Sequence, residues 1–193
     1  MKHFLLAGAA ALSLATAAQA APINATGSVS MIGISSSTAT IGINTTFTNV
    51  INSILGGATG DLVPVIGSFG TTDPVTATTG SAVSFAFAFG TFSGTVSAGG
   101  VSASGPVTNR VVDVFALGTF TPLGVLAGFD AGPMSATFSF TQTGGPGSAV
   151  SGSFSIASPP APPPPPPGVP APAALALFGM GLAGLGLLAR RKA

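Results

Sequence analysis

Few residues of this chain carry side chains capable of acid–base, nucleophilic or metal chemistry. The sequence has one His and no Cys, and all of its acidic residues are aspartates. The His is His3, and the only lysines are Lys2 and Lys192, close to the two ends. A Ser/His/Asp triad, a Cys/His dyad, a zinc cluster or a phosphate-binding lysine loop therefore cannot be assembled between those ends. The acids are Asp61, Asp73, Asp113 and Asp130.

These four aspartates are widely spaced, and no D-x-D pair occurs among them. A two-carboxylate hydrolase or a Ca²⁺ site would need them to converge from distant positions. Solvated loop positions, such as Asp73 before Pro74, are the simpler interpretation. The pattern Gly179 to Gly184 matches G-x-G-x-x-G, but no strand precedes it and no βαβ unit surrounds it. We therefore predict no catalytic residue, no cofactor and no metal.

The charge pattern argues against a nucleic-acid partner. Charged residues make up only 5% of the chain. From Ala21 to Pro172 there are one arginine, Arg110, and four aspartates, so the net charge is 1 − 4 = −3. Binding of phosphates requires clustered Lys and Arg.

The N-terminus has the pattern of a secretory signal peptide over residues 1–20. Lys2 and His3 precede an apolar run, and the small-residue triplet at positions 18–20 is typical of a cleavage site. The pattern predicts recognition by the Sec translocon and a cut by signal peptidase between Ala20 and Ala21, with Ala18 also part of the site.

The C-terminus has the pattern of a membrane helix with a basic end. Residues 173–189 are 17 uncharged residues, about 26 Å long as a helix. Residues 190–193 follow as a short tail, which the positive-inside rule places in the cytoplasm. Residues 21–172 are then expected on the far side of the membrane. The basic residues are Arg190, Arg191 and Lys192.

A proline-rich segment over residues 159–172 precedes that run. It contains ten prolines, of which six are consecutive. Each proline ring fixes φ and removes a hydrogen-bond donor, so the segment is expected to adopt polyproline II. At about 3.1 Å per residue, such a stalk would hold a domain roughly 40 Å from the membrane.

Residues 21–158 are expected to form one β-rich domain. Apolar and small residues alternate over Ser81–Phe89 and in four further segments, which predicts strands. Short antiparallel strands at this spacing favour an all-β sandwich or jelly roll. A hairpin is expected across residues 144–147, and the spacing in Thr46–Leu55 predicts a short helix. The four further segments are Val29–Ile34, Val111–Leu117, Ala136–Phe140 and Val150–Ile156.

The order of the C-terminal parts resembles the PEP-CTERM sorting signal of Gram-negative bacteria. The motif Val169-Pro170-Ala171-Pro172 stands before the apolar run and the basic end. Ala171 occupies the place where the typical member carries Glu, so the resemblance is to a VPxP variant. It implies an exported protein, held in the inner membrane as an intermediate with its domain in the periplasm. An exosortase-like enzyme would then process it for the cell surface or the extracellular space.

The resemblance also implies a structural or adhesive role in the extracellular, exopolysaccharide-associated matrix. The alternative is a permanently membrane-anchored module that binds a ligand or carbohydrate and is never processed. For that alternative, the Trp and Tyr platforms that commonly stack on sugars are absent.

Overall fold

The computed structural model describes residues 20–163. The predicted signal peptide up to residue 19, the VPxP motif, the apolar run and the basic tail lie outside the described residues. Between residues 20 and 163, no helix is both long and apolar enough to cross a bilayer.

The described chain is built from nine strands and two short 3₁₀ turns. Alternating burial is the rule along the strands, since inward side chains are apolar and outward ones are small or polar. The strands are β1 (Ala25–Ser36), β2 (Thr46–Ala58), β3 (Phe69–Thr72), β4 (Val75–Thr76), β5 (Ala82–Phe87), β6 (Gly90–Ser104), β7 (Asn109–Pro122), β8 (Gly132–Thr143) and β9 (Val150–Ser158). The 3₁₀ turns are η1 (Gly60–Val65) and η2 (Gly124–Leu126).

All nine strands belong to one antiparallel sheet that is nearly closed and barrel-like. Their order is β1-β9-β8-β7-β6-β5-β3-β2-β4, and β1 also pairs with β2. The all-β, antiparallel prediction is confirmed. The sheet differs from the expected sandwich or jelly roll because β1 forms ladders on both sides, so the sheet curls into a ring instead of splitting into two layers.

The helix predicted over Thr46–Leu55 is wrong, because this segment lies in β2. Its apolar spacing fits a helix, but its Thr, Asn and β-branched residues are weak helix formers. The segment instead pairs along β1, from Phe47 opposite Ser36 to Leu55 opposite Val29. Tertiary pairing therefore overrides the local spacing.

The interior of the ring is packed with phenylalanine. The alternation predicted over Ser81–Phe89 is confirmed, since Val83, Phe85, Phe87 and Phe89 are all buried. Rings from opposite parts of the sheet stack, and the centroids of Phe47 and Phe140 lie 3.7 Å apart. The predicted hairpin across residues 144–147 is also confirmed, with Gln142 opposite Val150.

One strand carries an insertion that the alternation does not show. In the ladder between β6 and β7, Val96 faces Ala116 and Val101 faces Val114, so four residues of β6 stand where one residue of β7 lies. Phe115 points outward at this place and is nevertheless buried, apart from the main core cluster. A Cβ built on Gly100 would lie 2.6 Å from the Phe115 carbonyl oxygen and 3.3 Å from its Cβ, so the inserted segment passes close to the backbone of Phe115.

Both ends of the described chain emerge at one end of the ring, which we call the terminal end. Ala25 faces Ser158 in the ladder between β1 and β9. The Ser158 hydroxyl donates to the carbonyl oxygens of Ile23 at 2.8 Å and Pro133 at 3.0 Å. Just beyond, the Ala161 N–H donates to the Ser135 hydroxyl at 2.9 Å. The first residues of the proline-rich segment are therefore fixed to the sheet.

Candidate functional site

The four aspartates occupy separate places on the ring. Each one binds a local partner: Asp61 accepts the Asn24 N–H at 2.7 Å, Asp73 accepts the Ser84 hydroxyl, Asp113 accepts the Ser102 hydroxyl at 3.4 Å, and the Asp130 N–H donates to the Ala21 carbonyl at 3.1 Å. Within residues 20–163, no group of three or more His, Cys, Asp or Glu residues could hold a metal ion. The carboxylates of Asp61, Asp73 and Asp113 thus act in this structure as hydrogen-bond acceptors, whereas Asp130 bonds through its backbone N–H.

The opposite end of the ring, the distal end, is closed by the loop over residues 37–45. Gln142 holds this loop from inside: its Oε1 accepts the Ile41 N–H at 3.1 Å, and its Nε2 donates to the carbonyls of Ala39 at 2.8 Å and Ser148 at 3.1 Å. Arg110 binds the same loop through Nε and the Ile41 carbonyl at 3.1 Å. Arg110 is thus placed in a structural role.

The outer surface of β1, β9 and β8 forms a face of hydroxyl groups. Ladder partners are aligned so that hydroxyls lie side by side across neighbouring strands, for example Ser30, Ser153 and Ser139 in one row. We call this surface the hydroxyl face. It consists of Ser28, Ser30, Thr137, Ser139, Thr141, Ser151, Ser153 and Ser155.

The geometry of the hydroxyl face follows from the sheet. Neighbouring strands lie about 4.8 Å apart, and outward residues on one strand about 6.7 Å apart, so the hydroxyls form a regular grid. In the described part of the chain, Ser30, Ser139 and Ser153 make no side-chain hydrogen bond to protein, so each hydroxyl can still donate and accept. Among residues 20–163, the only charged group that continues a row is Asp113, opposite Ser139 on β7.

Such a grid suits an uncharged, hydroxyl-rich or amide-rich surface. It offers many weak hydrogen bonds and no ion pair, and hydrogen bonds that replace water contribute only about 1 kcal/mol each. Specificity then depends on the regular spacing of many groups. This chemistry differs from that of a pocket for a small ligand, which uses a few convergent polar groups in an apolar cavity.

Of the predicted processing residues, only Ala20 and Ala21 lie within the described range. Both are exposed at the start of the chain, next to the terminal end of the ring. Ala18, the VPxP motif at residues 169–172 and the basic residues 190–192 are outside it. No family model matches this chain, and no curated protein or solved structure matches it either.

Sequence reasoning missed both the hydroxyl face and the Gln142 contacts. The alternation of Ser and Thr with apolar residues in β8 and β9 does indicate an outward polar side. Which strands are neighbours, and in which register, depends on closure of the ring, and that brings the hydroxyl rows together. No local signal marks Gln142, since its partners lie up to 103 residues away.

Proposed function

We propose that this chain is an exported, non-catalytic surface protein with a structural or adhesive role in the extracellular, exopolysaccharide-associated matrix. In this proposal, residues 1–20 direct export, residues 173–189 hold the chain in the inner membrane as a transmembrane helix, and an exosortase-like enzyme then processes the tail. The domain passes from the periplasm to the cell surface or the medium.

The observation that carries the proposal is the position of the two chain ends. The segment that follows the predicted cleavage site and the segment that begins the stalk lie side by side, with Ser158 bonded to Ile23. A domain attached by one end leaves the rest of its surface accessible. The segments that carry the two predicted signals therefore leave the folded domain at the same end. Neither segment has to pass through or around the domain to reach the membrane.

The character of the outer surface supports a matrix role. The hydroxyl face is extended and uncharged, which fits contact with a repetitive, neutral polymer better than binding of a small charged ligand. The dispersed aspartates support the non-catalytic part, because general acid–base chemistry requires groups within hydrogen-bond reach of one substrate.

The test is intact-mass analysis of the protein from its native cell envelope and from the culture medium. The proposal expects a species that begins at Ala21 and lacks the C-terminal apolar run and basic residues. Retention of residues 190–193 in all of the material would contradict processing. A chain that still begins at Met1 would contradict export.

The second candidate function is a permanently anchored carbohydrate-binding module, and the hydroxyl face favours it. Ser153→Asp would place a charge at the centre of the face and should weaken retention on exopolysaccharide purified from the same cells. The matched control is Ser93→Asp, an exposed outward position on β6. Equal retention of both variants would argue against binding through this face. A thermal melt unchanged by Ca²⁺ would eliminate a calcium-dependent version of this module.

A further inference from the structure

The terminal end of the ring carries a group of exposed apolar side chains. Val125 in η2 is 75% exposed and Phe69 at the start of β3 is 62% exposed. Concentrated apolar exposure on one surface indicates a contact site more often than scattered exposure does. We call this group the apolar rim: Val63, Ile66, Phe69, Leu123 and Val125.

The local structure forces these side chains outward. In η1, Leu62 and Val65 are buried and anchor the turn, and residues three apart lie on the same side of a 3₁₀ turn. Val63 therefore points away from the core. In η2, Leu126 is buried and has the same effect on Val125. The rim is thus a fixed feature of two anchored turns.

The two turns lie beside each other and enclose a shallow groove. It has a volume of about 360 Å³, and its lining includes Pro64, Val65, Phe89 and Val125. The Leu123 N–H donates to the Phe89 carbonyl at 2.8 Å, which fixes η2 next to the end of β5. The groove therefore connects η1 and η2, and Val125 of the apolar rim lines it.

The chain leaves the domain at this same end. Only nine residues, 164–172, separate the described chain from the apolar run that begins at Ala173. If the apolar run lies in the bilayer, this short tether keeps the bilayer surface close to the terminal end and so greatly raises its effective concentration there.

The charges at the terminal end favour a bilayer with neutral, zwitterionic headgroups over an anionic one. Asp61 in η1 and Asp130 near η2 are the ionisable groups in the described parts of this end. Cleavage after Ala20 would add the α-ammonium group of Ala21 to these two aspartates, so the net charge there is 1 − 2 = −1. An anionic headgroup would be repelled by this charge and a zwitterionic one would not. A neutral bilayer surface thus matches the rim in both its apolar and its charge properties.

We propose that the apolar rim rests in the interface of the bilayer while the C-terminal apolar run holds the chain in the membrane. This inference rests on the proposed function, because it needs the tail in the bilayer. In this arrangement the domain contacts the bilayer instead of being held away from it by an extended stalk. The hydroxyl face on β1, β9 and β8 stays in the aqueous phase. Release of the tail would then also release the rim.

The test uses single cysteines in the full chain, which has none of its own. Val125→Cys places a polarity-sensitive fluorophore in the rim. Val107→Cys, 54% exposed in a turn at the distal end, is the matched control. Both chains are reconstituted in phosphatidylcholine vesicles with and without nitroxide-labelled acyl chains, and circular dichroism checks that each is folded. Val63→Cys is a second rim position if Val125→Cys does not fold.

The proposal expects a blue-shifted emission and loss of most of the fluorescence with nitroxide lipid for the rim probe, and neither change for the distal probe. If the chain floats with the vesicles but the rim probe is not quenched, the rim is not on the bilayer and the inference falls while anchoring stands. A blue shift without quenching would mean that protein covers the rim, which also overturns it. If the chain does not float at all, anchoring and the inference fail together.

Discussion

Replacement of Gln142 by leucine should destabilise the domain by about 3 kcal/mol. The side chain is fully buried, and it makes three hydrogen bonds, to the Ile41 N–H and to the carbonyls of Ala39 and Ser148. Each such bond contributes about 1 kcal/mol net, and a buried backbone group left without a partner costs about 1–3 kcal/mol. Leucine has a similar size, so the loss comes from the hydrogen bonds rather than from a large cavity.

The assay is urea unfolding followed by far-ultraviolet circular dichroism, with an unchanged m-value as the sign that only stability has changed. A loss of about 3 kcal/mol corresponds to a fall in Tm of about 10 °C for a domain of this size. The control is Thr143→Val on the next, exposed residue of β8, which should stay within about 0.5 kcal/mol of the parent. A Gln142→Leu variant as stable as the control would refute the role of this side chain in holding the distal loop.

Two further substitutions test the interior. Phe140→Ala should cost about 3–5 kcal/mol in the same urea assay, because it removes a fully buried ring stacked on Phe47, and a cost below about 1 kcal/mol would show that this stack is not part of a tightly packed core. Gly118→Ala should cost about 1–3 kcal/mol, since a Cβ there would meet the backbone of the facing strand at Gly94. Gly128→Ala, where a Cβ meets nothing within 4 Å, should leave the free energy of unfolding nearly unchanged. Equal stability of the two glycine variants would contradict the close approach of β6 and β7 at Gly118.

Local pattern predicted five of the nine strands, β1, β5, β7, β8 and β9, but not the closure of the sheet. A strand at Ser81–Phe89 and a turn at residues 144–147 can be predicted from a short window of sequence, because period-two burial and Gly-rich turns are local properties. Whether strands form two layers or one ring depends on the partners of the first strand. β1 pairs with β9 and β2, and no short window of sequence encodes both contacts.

The same limit explains the errors and omissions at single residues. Thr46–Leu55 has helical apolar spacing, and its strand conformation is decided by the ladder to β1. Phe115 points outward and is nevertheless buried, beside an insertion in β6 that the local alternation does not show. The apolar rim was missed because Val63 and Val125 become exposed only through two 3₁₀ turns that the sequence pattern does not mark.

Labelling of single cysteines in spheroplasts tests most directly the central claim that the β domain is exported and attached by one end. With a membrane-impermeant maleimide, the account predicts that Val107→Cys, on the exposed distal turn, is labelled in intact spheroplasts. For the unprocessed intermediate, which still carries the tail, it predicts that Ala193→Cys, beyond the basic residues, is labelled only after lysis. Protection of Val107→Cys until lysis would contradict the account.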